Sequence, residues 1–333
     1  MEFLFLLIIL ASFLSTYLIL PYWIKNAHKN KLTSKDMHKI KGKKVAEFGG
    51  LTVIAGVSIG ILLYVAVNTF YFNSGGDKLV YIFVLLSVLL ISSIIGFVDD
   101  LLGWRKGLSR KIRIIIVLFA AVPLMVINAG TSAMNLPFFG LVDFGILYPL
   151  LIIPLGILGA TVTYNTLAGY NGLEASQGII ILSALAIVTF LTGNAWLSLI
   201  ALFMVSSLIA FYIFNKYPAK IFPGDALTYS VGALIASIAI LGNIEKIAVF
   251  FFIPYIIEAV LKTRGRWVKE SFAKLNKDGS LEMPYKKVYG LEHLAIKILK
   301  RIKPSKKVFE KDVVYLINGF QILVVIIGFL FVL

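Results

Sequence analysis

The chain has 333 residues, of which 59% are hydrophobic, and its mean hydropathy is +0.92. This composition excludes an ordinary soluble domain and predicts a protein that crosses a membrane many times. The formal net charge is +15, but no nucleic-acid-binding motif accompanies it, so attraction to anionic lipid headgroups is the simpler explanation. The absence of cysteine excludes disulfides, thiol chemistry and cysteine-ligated metals.

Ten apolar segments are candidates for membrane-spanning helices, which need about 20 largely apolar residues. In chain order they are 3–22, 51–72, 79–98, 114–129, 144–164, 177–192, 195–214, 226–241, 247–261 and 313–332. Pro123, Pro154 and Pro254 lie inside three of these segments, where a proline kinks a helix. We therefore expect an all-α polytopic membrane protein that forms a single domain over residues 1–333.

Basic residues are concentrated in alternate loops. Of the 32 Lys and Arg residues, 30 fall in the loops after the first, third, seventh and ninth segments, and the opposite loops hold only Lys78 and Lys246. Because basic loops stay in the cytoplasm, both termini should lie outside and the basic face should be cytoplasmic. The largest loop, 262–312, is expected to contain a hairpin turn at 276–279 and then a basic amphipathic helix in the membrane interface.

Polar residues that could take part in catalysis lie on the same predicted face. Asp99 and Asp100 follow the third segment, at a helix end where negative charge gains nothing from the helix dipole. An Asn- and Gly-rich loop, 165–174, follows the fifth segment, and Phe-Pro-Gly-Asp at 222–225 precedes the eighth. The simpler alternatives are a charge pair at the membrane edge, a plain loop, and a helix N-cap for Asp225.

Two further motifs border this face. Glu47 opens the second segment, and the simpler explanation for it is the start of a helix. Arg264 and Arg266 follow the ninth segment, and the simpler explanation for them is the usual excess of positive charge in cytoplasmic loops. Together, carboxylates and amides beside Lys and Arg are the components of phosphoryl chemistry assisted by Mg²⁺ (or Mn²⁺). No P-loop and no dinucleotide-binding glycine motif occurs in the chain, which argues against an ATPase.

With these motifs the chain resembles the polyprenyl-phosphate N-acetylhexosamine-1-phosphate transferases over nearly its full length. Gly-Phe-Val-Asp-Asp at 96–100 is similar to a family signature. The sequence Asn-Thr-Leu-Ala-Gly-Tyr-Asn-Gly-Leu-Glu at 165–174, the Gly-Asp at 224–225 and the Arg-Gly-Arg at 264–266 resemble the eukaryotic dolichyl-phosphate N-acetylglucosamine-1-phosphotransferase branch. The bacterial cell-wall branch has a His cluster where this chain has only His293. The composition suggests an archaeal member, and ten spans with both termini outside is the architecture that the resemblance implies.

The resemblance implies a role for each motif. Asn165 and Asp225 would hold the metal ion, and Asp99 would orient or deprotonate the lipid phosphate with support from Asp100. The implied substrate-binding residues are Lys111, Arg264 and Arg266 for phosphates, Asn171, Gly169 and Glu47 for the nucleoside, and Glu174 beside them. Arg110 is the alternative to Lys111, because the spacing from the paired aspartates is longer here than in the eukaryotic branch.

The function that follows is transfer of N-acetylglucosamine-1-phosphate from UDP-N-acetylglucosamine to dolichyl phosphate with release of UMP, an early step of lipid-linked glycan assembly for N-glycosylation. The expected partners are these two substrates, membrane lipid and a second copy in a homodimer, with no nucleic acid. The expected location is the cell membrane, with the active site facing the cytoplasm. The alternatives are a transporter of an anionic metabolite, which would need ionisable groups near the bilayer midplane, a transferase for a different UDP-N-acetylhexosamine, and a structural scaffold.

Overall fold

The computed structural model describes residues 2–40, 42, 44–73, 76, 78–106, 110–136 and 140–331. α-Helices account for most of the described residues, and three short β-hairpins lie between them. Eight helical segments are long and apolar enough to cross a membrane. This confirms the predicted class, a mostly helical polytopic membrane protein, while the count of ten spans and their orientation stay predictions.

The helices follow the apolar runs of the sequence. Their bounds are α1 Glu2–Lys29, α2 Gly50–Phe70, α3 Leu79–Lys106, α4 Arg110–Phe119, α5 Val122–Val126, α6 Ile153–Thr166, α7 Leu173–Leu191, α8 Ala195–Asn215, α9 Asp225–Gly242, α10 Glu245–Phe251, α11 Ile253–Arg264, α12 Leu291–Ile302 and α13 Glu310–Phe331. The eight candidate spans are α1, α2, α3, α6 with the turn before it, α7, α8, α9 and α13.

Each of the two remaining predicted spans is divided into two shorter helices. The break between α4 and α5 comes just before Pro123, and the break between α10 and α11 comes just before Pro254. A third interruption, the π-helical turn Tyr148–Ile152, comes before Pro154 at the start of α6. Each proline occupies the first turn of a new helix, where its missing N–H costs no hydrogen bond.

The hairpins connect the helices at their ends. They are β1 Thr33–Lys35 with β2 Lys44–Ala46, β3 Ala133–Leu136 with β4 Gly140–Asp143, and β5 Lys274–Leu275 with β6 Leu281–Glu282 on either side of the turn at 276–279. Ala46 of β2 also pairs with Ile221, through hydrogen bonds to the neighbouring backbone at Lys220 and Phe222. The first hairpin is thereby joined to the segment that leads into α9.

Helix α9 forms the centre of the bundle. It packs against α3 and α6 and also contacts α2, α7 and α10, and nearly all of its residues are buried. Gly96 of α3 lies directly against the backbone of Asp225, where a Cβ atom would collide with the Asp225 carbonyl group. This close approach places Asp100, one turn further along α3, beside the first residue of α9.

Helix α12 has its apolar side partly covered by protein. Leu291, Ala295 and Ile296 are buried, and α12 contacts both α11 and α13. Ile298 and Ile302 are exposed at the end of the same helix. The interfacial position of this helix stays a prediction, which now concerns only its exposed C-terminal half.

Candidate active site

A cavity of about 500 Å³ lies where α6, α7 and α9 meet the first hairpin. Its wall contains five of the residues singled out in the sequence: Asn165, Gly169, Asn171, Glu174 and Asp225. Ser34, Lys35, Asp36 and Met37 of the hairpin region and the ring of Phe272 complete one side of it. The structure therefore brings two of the predicted motifs, 165–174 and 222–225, onto a single cavity.

The two residues expected to hold a metal ion lie side by side. Asn165, near the end of α6, is hydrogen-bonded through its side chain to the Asp225 carboxylate. Its Oδ1 atom accepts a hydrogen bond from the Thr228 hydroxyl at 2.9 Å, one turn into α9. An amide oxygen and a carboxylate are thus presented together at the cavity wall.

Asp225 is not the N-cap of α9. Gly224 occupies that position with φ +70° and ψ 168°, no side chain caps the helix from there, and Asp225 is the first helical residue. The backbone N–H of Asp225 donates instead to Asp100 Oδ2 at 2.7 Å. The capping explanation for Asp225 is therefore wrong, and its carboxylate remains available at the cavity.

Asp99 and Asp100 do not end their helix, because α3 continues through both to Lys106. Asp99 is buried, with Oδ2 lying 2.7 Å from the Nε atom of Arg113, and it also accepts a hydrogen bond from the Tyr229 hydroxyl at 3.2 Å. The guanidinium stabilises the buried carboxylate by direct ion pairing. Sequence reasoning missed Arg113, because nothing distinguishes it locally from the other basic residues of its loop.

The loop before α7 is shaped by glycine and by Glu174. Gly169 has φ +98°, and a Cβ atom there would lie 2.9 Å from the Phe272 ring. Its N–H donates to Glu174 Oε1 at 2.9 Å. Glycine is required at this position both for the left-handed backbone and for the space beside the ring.

Two buried oxygen atoms at the cavity have no hydrogen-bond partner among the described residues. They are Glu174 Oε2 and Asn215 Oδ1. Asn215 is fixed because its Nδ2 donates to the Ile221 carbonyl at 2.8 Å. Buried acceptors are costly when unsatisfied, so these atoms are suited to receive donors from a ligand. Asn215 was not predicted from the sequence, where it is one polar residue at the end of an apolar helix.

Asp99, Asp100 and four further predicted residues do not line this cavity. Glu47 accepts a hydrogen bond from Ser34 in the first hairpin and is close enough to Asp100 for their charges to interact. Lys111, Arg264 and Arg266 are exposed, on or next to α4 and α11. The side chain of Arg110 lies outside the described residues. The phosphate-binding roles of these cations remain predictions.

The oxygen atoms at the cavity fit a divalent metal ion that also binds substrate phosphate. In the described part of the chain, no group of three or more His, Asp and Glu side chains is placed to hold a metal without other ligands. Mg²⁺ is usually bound by one or two carboxylates plus substrate phosphates, with water in the other positions. The side-chain oxygens of Asn165 and Asp225, with Asp100 next to Asp225, are of the kind that would suit such an ion.

The sequence is similar to a known family and to named relatives. The family described as glycosyl transferase family 4 matches residues 81–243. A protein of Saccharolobus solfataricus is 37% identical over 295 residues, 88% of each chain, and one of Sulfolobus acidocaldarius is 33% identical over 328 residues, 98% of this chain and 95% of its own. The chain belongs to glycosyl transferase family 4. Both archaeal relatives are provisionally named UDP-N-acetylglucosamine–dolichyl-phosphate N-acetylglucosaminephosphotransferase.

Membership of family 4 confirms the resemblance found in the motifs. A Dictyostelium discoideum protein with the same phosphotransferase name is 29% identical over 282 residues, 73% of this chain and 68% of its own. The chain is therefore a glycosyl-1-phosphate transferase and a multi-pass membrane protein. Family 4 transferases generally depend on a divalent metal ion.

Proposed function

We propose that this family 4 transferase moves N-acetylglucosamine-1-phosphate from UDP-N-acetylglucosamine to dolichyl phosphate and releases UMP. The observation that carries the proposal is the meeting of Asn165 and Asp225 at one cavity, with Asp100 bonded to the Asp225 backbone, in a chain whose relatives are named for this reaction. A volume of about 500 Å³ suits a nucleotide sugar in part or whole. The identity of the sugar, N-acetylglucosamine, is the most specific part of the proposal.

Asn165 and Asp225 would hold Mg²⁺ or Mn²⁺ against the donor pyrophosphate. When bound, the ion would polarise the phosphoryl oxygens and offset their charge. The Asp225 carboxylate is kept in place by its helix, whose first N–H is bonded to Asp100. The Asn165 amide is kept in place by Thr228, so both ligands are oriented before substrate arrives.

The reaction is a displacement at the β-phosphorus of the donor. An oxygen of the lipid phosphate forms the new P–O bond, the bond from the β-phosphorus to the bridging oxygen breaks, and UMP leaves with that oxygen. A phosphate group is largely ionised at neutral pH, so little base strength is needed. Asp99, held by Arg113 and Tyr229, would therefore position the acceptor rather than remove a proton from it.

A second cavity suits the lipid tail of the acceptor. It has a volume of about 430 Å³, lies between α6, α9 and the α10–α11 pair, and is lined mainly by apolar side chains. Phe252, at the break before Pro254, forms part of its wall. An isoprenoid chain in this groove would stay in the bilayer while its phosphate reaches the cytoplasmic side, where we expect the active face because the loops on that side are basic.

The direct test uses purified protein in detergent with UDP-N-acetylglucosamine, dolichyl phosphate and Mg²⁺. UMP and a dolichyl-diphosphate-linked sugar should form in equal amounts, measured by mass spectrometry. Product only with another UDP-N-acetylhexosamine would keep the mechanism and change the sugar. Folded protein that gives no product with any donor, but carries an anionic metabolite into proteoliposomes, would replace the transferase proposal with transport.

A further inference from the structure

Asn171 is held at the cavity wall by two carboxylates from distant parts of the chain. Its backbone N–H donates to Glu310 Oε1 at 2.7 Å, and its Nδ2 atom donates to Asp36 Oδ2 at 2.9 Å. Asp36 follows β1 in the first hairpin, and Glu310 is the first residue of α13. Asn171 is 5% exposed, Asp36 4% and Glu310 3%, so solvent cannot replace these bonds easily.

The two carboxylates are fixed by further contacts. Asp36 Oδ1 accepts the backbone N–H of His38 at 3.0 Å. Lys39 Nζ lies 3.1 Å from Glu310 Oε2 and 3.7 Å from Asp36 Oδ2, and the same ammonium sits over the Tyr217 ring. A buried carboxylate is tolerated only when paired and hydrogen-bonded, and these contacts pair both Asp36 and Glu310.

That arrangement decides which way the Asn171 amide faces. A carboxylate oxygen only accepts hydrogen bonds, so Asn171 must turn its NH₂ group towards Asp36. The opposite orientation would set the Asn171 amide oxygen against a carboxylate oxygen, two acceptors that repel each other. No hydrogen bond between described residues uses Asn171 Oδ1, and Asn171 lines the cavity. The amide therefore presents an acceptor to a ligand.

We propose that Asp36 is a positioning residue that fixes Asn171 as a hydrogen-bond acceptor and so makes the cavity select uracil over cytosine. The inference rests on the proposed function, in which this cavity takes the uridine of the donor. Uracil has an N–H donor at ring position 3, whereas cytosine has a lone pair at that atom. A fixed Asn171 oxygen accepts a hydrogen bond from the N–H of uracil. With cytosine the same oxygen would face the lone pair of the ring nitrogen, and the two acceptors would repel each other.

Glu310 should have a different effect, because it holds the backbone of Asn171 and not the amide. Loss of its bond to the Asn171 N–H would shift the whole residue. Binding of both nucleotides should then weaken together, without a change in preference. The ratio of UMP to CMP affinity therefore distinguishes the two carboxylates. A general loss of stability would not change this ratio.

The experiment measures binding of UMP and CMP to the purified full-length protein by calorimetry, and the Michaelis constant and turnover number for UDP-N-acetylglucosamine. Wild-type protein should prefer UMP by about tenfold or more, the worth of one hydrogen bond exchanged for a repulsive contact. Asp36→Asn keeps the shape but lets the Asn171 amide turn over. It should lower the UMP-to-CMP ratio by about tenfold and raise the Michaelis constant, with turnover at saturation changed by less than about twofold. Glu310→Ala, which removes the acceptor of the Asn171 N–H, should weaken both nucleotides with the ratio kept.

Asp143→Asn is the matched control, because Asp143 is an exposed carboxylate on β4 that also accepts a backbone N–H. It should leave affinities and ratio unchanged. A folded Asp36→Asn protein that keeps the wild-type ratio overturns the inference. If Asp36→Asn does not fold, Asn171→Ala decides, since it removes the acceptor and leaves Asp36 in place: a lost preference supports the inference and a kept preference overturns it.

Failure of the inference and failure of the proposed function look different. Wild-type protein that transfers sugar from a UDP donor but does not prefer UMP over CMP overturns the inference alone. Wild-type protein that is folded and transfers no sugar from any UDP donor contradicts the proposed function, and the inference with it.

Discussion

Asp100 accepts a hydrogen bond from the backbone N–H of Asp225 at 2.7 Å, although 125 residues separate them in the chain. The bond places a carboxylate at the N-terminus of the central helix α9, where negative charge is favoured by the helix dipole. It joins the two acidic motifs of the sequence into one unit. The packing of α3 against α9, made close by Gly96, therefore sets the geometry of the site before any substrate binds.

Asp100→Ala should damage both stability and turnover. Loss of an acceptor for the first N–H of a helix costs about 1–2 kcal/mol, which lowers the midpoint of thermal unfolding. Turnover, measured as UMP release, should fall by about 100-fold, because Asp225 loses its support beside the proposed metal ligand Asn165. Asp278→Ala is the control, since Asp278 also accepts a backbone N–H but lies on the exposed β5–β6 turn. An Asp100→Ala protein with wild-type turnover would refute this role.

Gly224→Ala should inactivate the enzyme by displacing Asp100. Gly224 has φ +70°, and a Cβ atom there would lie 2.5 Å from Asp100 Oδ2. Gly193 is a matched control with φ +80° and no heavy atom within 4 Å of an added Cβ. Both substitutions strain the backbone by about 1 kcal/mol, so both should lower thermal stability. Gly224→Ala should lose further stability, because a displaced Asp100 no longer accepts the Asp225 N–H. Only Gly224→Ala should reduce turnover, and equal turnover in the two variants would argue against the collision.

Arg113→Gln should slow the reaction through Asp99. The Nε atom of Arg113 lies 2.7 Å from the buried Asp99 carboxylate, so its loss leaves that charge without its guanidinium partner. A loss of about tenfold in UMP release is expected. In an Asp99→Asn background, Arg113→Gln should have little further effect, because the two residues act as a pair. Lys111→Gln changes an exposed residue of the same helix, so its fold-loss in UMP release should multiply with that of Asp99→Asn in the double variant. If Lys111 and Arg113 both lost their effect in the Asp99→Asn background, the pairing of Arg113 with Asp99 would be contradicted.

The loop helix α12 should make stability depend on pH. Burial, with a smaller effect from the positive charge of Lys262, lowers the pKa of His293 to about 4. An unfolded histidine titrates near pH 6.5, so between these values the unfolded chain takes up a proton that the folded protein does not. The free energy of unfolding should therefore fall as pH drops from about 6.5 to about 4, and be independent of His293 above that window.

His293→Gln tests this expectation through the midpoint of thermal unfolding at pH values across the window. The variant should lose less stability than wild type on acidification. Burial also raises the pKa of the neighbouring Glu292 well above its usual value, so that carboxyl destabilises the fold as pH rises above about 4.5. Because both proteins keep Glu292, their difference isolates the histidine. Parallel curves for variant and wild type would count against the shift.

The sequence predicted the helices well where an apolar run was unbroken. The eight long helices coincide with predicted spans, because the membrane requires long apolar segments and the loops between them are polar. Pro123, Pro154 and Pro254 indicated where helices would be interrupted. The sequence predicted a kink at Pro254, whereas the structure has two separate helices there, α10 and α11. Helix ends were less accurate: α3 runs past Asp100 to Lys106, since polar residues can extend a helix beyond the bilayer.

The candidate site was predictable where residues form a local motif. The loop 165–174 and the segment 222–225 could be found in the sequence, and the structure brings them to one cavity. Asp36 and Glu310 could not, because their importance lies in contacts with a residue remote in the chain: Asn171 is 135 positions from Asp36 and 139 from Glu310. No periodicity or spacing encodes such pairs; only the packing of α13 and the first hairpin against α7 creates them.

The central claim is that Asn165 and Asp225 serve a metal-dependent transfer from a UDP-sugar to a lipid phosphate. The most direct measurement is UMP release from UDP-N-acetylglucosamine and dolichyl phosphate by wild-type protein and by Asp225→Ala, each with Mg²⁺ and with EDTA. We expect release only by wild type with Mg²⁺, while both proteins unfold at similar temperatures. Release by Asp225→Ala at the wild-type rate, or release by wild type that persists in EDTA, would contradict it.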